Sequence, residues 1–113
     1  KYSLPGGWCD VFDSPKQTAA EECLQETGYT VDIQKLLGVF FRDKYKPKMQ
    51  SLISEYVLYF SGEIIDGDNH FSHEVTETKY FGIDDLPELS IKNSEIEIRK
   101  ALESLRTGVS YFD

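Results

Sequence analysis

The chain has 113 residues and a formal net charge of −8, from 12 basic and 20 acidic side chains; 40% of its residues are hydrophobic and 13% aromatic. That length suits one domain spanning residues 1–113, with too much apolar content for a disordered chain. The acidic balance argues against non-specific nucleic-acid binding, which needs Lys and Arg against phosphates, and no apolar run approaches the roughly 18 residues of a membrane span. Cys9 and Cys23 make no disulfide framework and fit no C-x-x-C or His-rich metal spacing, so they read as reduced thiols of a cytoplasmic protein.

In chain order, the first signal is a glycine turn, Leu4-Pro5-Gly6-Gly7-Trp8, running into a helix. Ser14 is a good N-cap, Pro15 suits the first helical position, Gln17 completes a capping box and Gly28 supplies the stop. The helix is predicted over Pro15 to Thr27, with Glu22, Gln25 and Glu26 sharing one face and Ala20, Cys23, Leu24 and Thr27 turned to the other, where they can pack on a sheet. Glu22 and Glu26 lie one turn apart, a like-charge pair that costs an isolated helix a few tenths of a kcal/mol and that a bound cation would turn favourable. Such acidic faces are ordinarily just solvated.

Thr30 to Arg42 is β-branched and aromatic and reads as a strand, followed by a basic, Pro-containing loop over Asp43 to Met49. Ser51 to Ile65 is the longest strand signal, and Asp66-Gly67-Asp68-Asn69 reads as a hairpin turn. A further strand is expected over about Glu74 to Gly82, and Ile91-Lys92-Asn93 as linker. Ser94 then caps a helix to about Arg106, with Ile96, Ile98, Ala101, Leu102 and Leu105 as its apolar stripe. This order fits an α/β class with a mixed sheet between helical layers.

The segment Gly7 to Tyr29 resembles the signature box of the Nudix hydrolases: a glycine, five residues, a glutamate, seven residues, Arg-Glu, an aliphatic, any residue, Glu-Glu, any residue, glycine, an aliphatic. Gly7, Glu22, Glu26 and Gly28 match identically, and Cys23 and Tyr29 stand at the apolar positions. Asp13 replaces the first glutamate, Glu21 the arginine and Gln25 the first residue of the Glu-Glu pair, while Phe12 sits where a glycine is common. Tyr80-Phe81-Gly82-Ile83-Asp84-Asp85-Leu86-Pro87 looks like the aromatic strand end and short turn that follow the central Nudix sheet. The opening and the Leu86 to Ser90 segment are most similar to a bacterial group around ADP-ribose and CDP-choline pyrophosphatases.

The resemblance implies a Nudix α/β/α sandwich with a mixed β-sheet. It also implies one or more N-terminal strands ahead of Lys1, since a Nudix sheet places strands before the box. The implied activity is metal-dependent hydrolysis of the pyrophosphate bond in a nucleoside diphosphate joined to another group. Hard cations such as Mg²⁺ or Mn²⁺ favour carboxylate oxygens and would relieve the repulsion between an acidic protein and an anionic substrate. The implied ligands are Glu22, Glu26 and the Gly7 carbonyl, with Gln25 offering only a neutral oxygen and Glu77 as the acid from outside the box, ahead of Glu74. Glu22, Glu26 and Glu77 are the implied catalytic residues.

Two outcomes stay open: a working hydrolase weakened by Gln25, Glu21 and Asp13, or an impaired domain that binds a nucleotide as a regulatory module. Arg42, Lys44, Lys46 and Lys48 could meet phosphates and Tyr45 or Phe41 could stack on a base, but basic loop residues ordinarily just solvate, these aromatics read rather as packing, and none is assigned as a specificity determinant; His70 and His73 read as surface residues. The expected partner is a small nucleotide derivative, with a homodimer as one possible assembly.

Overall fold

The computed structural model describes residues 2–45, 55–68, 81–82, 85–89 and 94–113. Among them the element order is α1 (Pro15–Thr27), β1 (Tyr29–Phe41), α2 (Arg42–Tyr45), β2 (Tyr56–Gly67), α3 (Glu95–Thr107) and β3 (Tyr111–Phe112). The strands form a mixed sheet in the order β2-β1-β3. β1 and β3 are parallel, with Gly38 opposite Tyr111 and Val39 opposite Phe112. β2 runs the other way: along β1, Gly28, Asp32 and Arg42 meet Gly67, Gly62 and Glu55 in turn. The fold is therefore mixed α/β, as the sequence predicts. Its residues fall into two compact units, one of Lys1–Ser3, Leu36–Ser61 and Gly82–Asp113, the other of Leu4–Lys35 and Gly62–Phe81.

α1 has the predicted limits, and for the predicted reasons. Ser14 Oγ accepts from the Gln17 amide at 3.1 Å, the Gln17 side chain accepts from the Ser14 amide at 3.0 Å, and Gly28 closes the helix at φ 81°. Thr18 and Thr27 are its buried residues; Leu24, expected to pack, is 48% exposed. The Thr27 hydroxyl explains its own burial, donating to the Cys23 carbonyl at 2.6 Å and accepting from the Tyr29 amide at 3.2 Å, which ties the helix end to the start of β1.

Asp66 and Gly67 belong to β2 instead of a turn. Gly67 has φ 100°, and a Cβ there would lie 2.3 Å from the Gly28 carbonyl oxygen, so the glycine serves a close backbone approach. Arg42 to Tyr45, expected as loop, forms the short α2. β3 has no counterpart in the sequence-based elements.

The first unit holds the apolar core: Leu37, Phe40, Tyr59, Ile98 and Ala101. Phe40 is completely buried, edge-on to Tyr45 and Tyr59 and stacked on Tyr111 at 5.3 Å. α3 buries Glu97, Ile98, Ala101 and Ser104, whereas Ile96 and Leu105 of the expected stripe are exposed. The inward face is thus rotated to admit a carboxylate: Glu97 accepts from the Tyr59 hydroxyl at 2.8 Å while its amide caps onto Ser94 Oγ at 3.0 Å.

Asp113 fastens β3 to its neighbours. Its carboxylate accepts from the Phe41 amide at 2.9 Å, Lys44 Nζ at 3.0 Å, Tyr45 Oη at 2.9 Å and Tyr111 Oη at 3.0 Å. Burial opposes its ionisation, but these donors together hold it below the usual carboxylate range. Burial raises the Tyr45 phenol, and Lys100 Nζ, 2.9 Å from Tyr111 Oη, lowers the Tyr111 phenol.

Candidate active site

The candidate site lies in the second unit, where the glycine turn meets α1. The Gly6 amide donates to Glu26 Oε2 at 2.9 Å. A Cβ on Gly7 would lie 2.8 Å from both Cδ and Oε1 of Glu22, so the bare Cα of Gly7 faces that carboxylate. Because the atoms it would meet are the end of a flexible side chain, a methyl at position 7 would displace the Glu22 carboxylate more readily than the backbone. The two glycines and the two glutamates are therefore brought together at the start of the box. Both glutamates are half-buried, and Gln25 and Glu21 are exposed.

The loop between the glycines and the helix is held by sulfur. Thr18 Oγ1 donates to Cys9 Sγ at 3.3 Å, and Cys9 Sγ donates to the Asp13 carbonyl at 3.1 Å. The Asp13 amide closes a turn on the Asp10 carbonyl at 3.1 Å, with Phe12 in its third position at φ 74°. That position suits glycine, and Phe12 holds a fully exposed ring there. The sequence marks Phe12 as departing from a common glycine, and the backbone supplies the physical reason. Phe12→Gly is expected to stabilise the fold by about 0.5–1 kcal/mol, as relief of roughly 1–2 kcal/mol of left-handed strain exceeds the entropic cost of glycine. A rise in the urea midpoint at unchanged slope checks this.

Among the described residues no three acidic, His or Cys side chains converge as a complete metal cluster. Glu22 and Glu26 are two hard oxygen donors one helical turn apart, a set suited to a hard divalent cation, and a full shell needs further oxygens. Glu77 and Glu74 lie outside the described residues, as do Lys46, Lys48, His70, His73 and Tyr80. In the first unit, the basic candidates Arg42 and Lys44 are engaged in ion pairs, with Glu55 at 3.3 Å and Asp113 at 3.0 Å. Tyr45 and Phe41 pack against Phe40 and Tyr56 respectively. Sequence reasoning missed the role of the Gly6 amide, although the Gly-Gly pair was its signal.

The NUDIX domain model matches residues 1–105. The chain belongs to the NUDIX family. Over 106 residues it is 29% identical to the Bacillus subtilis (strain 168) protein YjhB, whose name assigns it provisionally to the ADP-ribose pyrophosphatases; the match covers 93% of this chain and 50% of YjhB. A solved UDP-X diphosphatase shares the fold at a TM-score of 0.88 and 26% identity, over 98% of this chain and 54% of that one. An ADP-ribose pyrophosphatase from Streptococcus suis 89-1591 matches at a TM-score of 0.82 and 29% identity, over 98% and 81%. This NUDIX chain spans about half the length of the curated relatives it matches. NUDIX hydrolases generally use divalent metal ions, and among the described residues no helix is long and apolar enough to cross a membrane.

Proposed function

We propose that this NUDIX domain, taken as one domain over residues 1–113, hydrolyses the pyrophosphate bond of a nucleoside diphosphate joined to a second group, of the ADP-ribose type. The observation that carries this reading is the pairing of Gly6 with Glu26 and of Gly7 with Glu22, which gathers two carboxylates against a glycine backbone in a box of intact spacing. The relatives' names, ADP-ribose pyrophosphatase and UDP-X diphosphatase, support the substrate class. The setting is cytoplasmic, in keeping with two free cysteines.

Glu22 and Glu26 would hold Mg²⁺ or Mn²⁺ together with the Gly7 carbonyl, and Glu77 would be the further acid, as ligand or base. The ion, when bound, neutralises the diphosphate and makes water more acidic. Water adds to one phosphorus, the bridging P–O bond breaks, and AMP and ribose 5-phosphate leave when ADP-ribose is the substrate. The Gly6 amide fixes Glu26, and the bare Cα of Gly7 leaves Glu22 its place. Gln25, exposed and neutral, adds no charge, which makes this a weakened enzyme. The same substitution, with Glu21 and Asp13, supports a second reading: a domain that binds a nucleotide without cleaving it.

The deciding experiment is product release by the full-length protein with Mg²⁺ or Mn²⁺ from ADP-ribose, CDP-choline and a UDP-sugar. Metal-dependent turnover is expected, and Gln25→Glu should tighten Mn²⁺ and raise kcat/KM about tenfold. Nucleotide binding without product would establish the second reading. No gain in the variant would remove Gln25 as the limiting residue.

A further inference from the structure

Trp8 follows Gly7 directly, and its indole is 73% exposed. The missing Cβ of Gly7 faces Glu22, and the sulfur of Cys9 accepts from Thr18, so Trp8 sits between two residues that contact α1. Among the described residues no hydrogen bond or ring contact engages the indole. The largest apolar side chain of the loop thus stands in solvent about 3.8 Å, Cα to Cα, from the glycine that faces Glu22. Phe12 is exposed too, but it sits within the closed Asp10–Asp13 turn, five positions from Gly7.

We infer that Trp8 is a substrate-binding residue: its indole stacks on the nucleobase of the nucleotide whose diphosphate is held at Gly7, Glu22 and Glu26. This rests on the hydrolase reading and deepens it. A flat π-face recognises every base without reading its edge, so Trp8 supplies affinity for a nucleoside while leaving base identity to other contacts. The loop places it beside the candidate phosphate site, where a base and its diphosphate can be engaged together.

Trp8 is the one tryptophan of these 113 residues, and the Trp8→Phe variant isolates its emission from that of the rest of the protein. Emission of the full-length protein, excited at the red edge and corrected with Trp8→Phe, is followed while ADP or inorganic pyrophosphate is added with Mg²⁺. The expected result is quenching by ADP and little response to pyrophosphate. Trp8→Ala should raise KM for ADP-ribose about tenfold with kcat within about twofold and Mn²⁺ affinity unchanged, and Trp8→Phe should recover most of the loss. An equal response to ADP and pyrophosphate, or an unaltered KM in Trp8→Ala, overturns the stacking role and leaves the hydrolase reading standing. A full-length protein with neither turnover nor nucleotide binding overturns both.

Discussion

Glu26→Gln is expected to lower kcat/KM for metal-dependent hydrolysis about a thousandfold. The amide oxygen of glutamine can still accept from the Gly6 amide, as Glu26 Oε2 does at 2.9 Å, so the glycine turn keeps its anchor and only the charge is lost. Charge stabilisation by a bound ion is worth several kcal/mol, and about 4 kcal/mol of it corresponds to three powers of ten in rate. Isothermal titration with Mn²⁺ should show weakened binding in parallel, with the thermal midpoint nearly unchanged. Full activity in the variant would place the metal centre elsewhere than on α1.

Phe40→Ala should destabilise the fold by about 4 kcal/mol, within the 3–5 kcal/mol typical of deleting a buried phenyl ring. Phe40 is the pivot of three tyrosine rings, and a Cβ added at Gly38 would lie 2.7 Å from its ring, so the site is filled on several sides. Tyr45, Tyr59 and Tyr111 are each held by hydroxyl hydrogen bonds and cannot simply collapse into the void. Urea unfolding followed by tyrosine fluorescence and far-UV circular dichroism would measure it. A loss below about 2 kcal/mol would mean that the cavity heals.

What the sequence discloses, and what it hides, follows the range of the interactions. α1 is readable to the residue because Ser14, Pro15, Gln17 and Gly28 act within one turn of themselves. The meeting of Gly7 with Glu22 is also legible, since a fixed spacing across one turn and one helix encodes it, whereas the bond from the Gly6 amide to Glu26 emerges only in the folded backbone. The limits of β2 are not, because Gly67 serves a contact with Gly28, far back in the chain, and looks in isolation like a hairpin residue. The inward face of α3 escapes hydrophobic patterning for a different reason: Glu97 is buried by virtue of Tyr59, a partner 38 residues away. The basic residues Arg42 and Lys44 looked available for phosphate until their carboxylate partners were in view. β3 is two residues long and is defined only by pairing, which no local signal announces.

The fastening of β3 has a consequence for the order in which the chain assembles. The bond from the Phe41 amide to Asp113 joins residues 72 apart, and closing so long a loop costs about 4 kcal/mol beyond the constant term. α1 and its caps involve only neighbours and can form early, whereas the stacking of Tyr111 on Phe40 must wait for β3. The aromatic core therefore closes last, and until it does Phe40 lacks its stacked partner. In the cell that interval exposes an apolar strand, β1, along the edge that β3 will occupy, and makes the arrival of β3 the step that protects it.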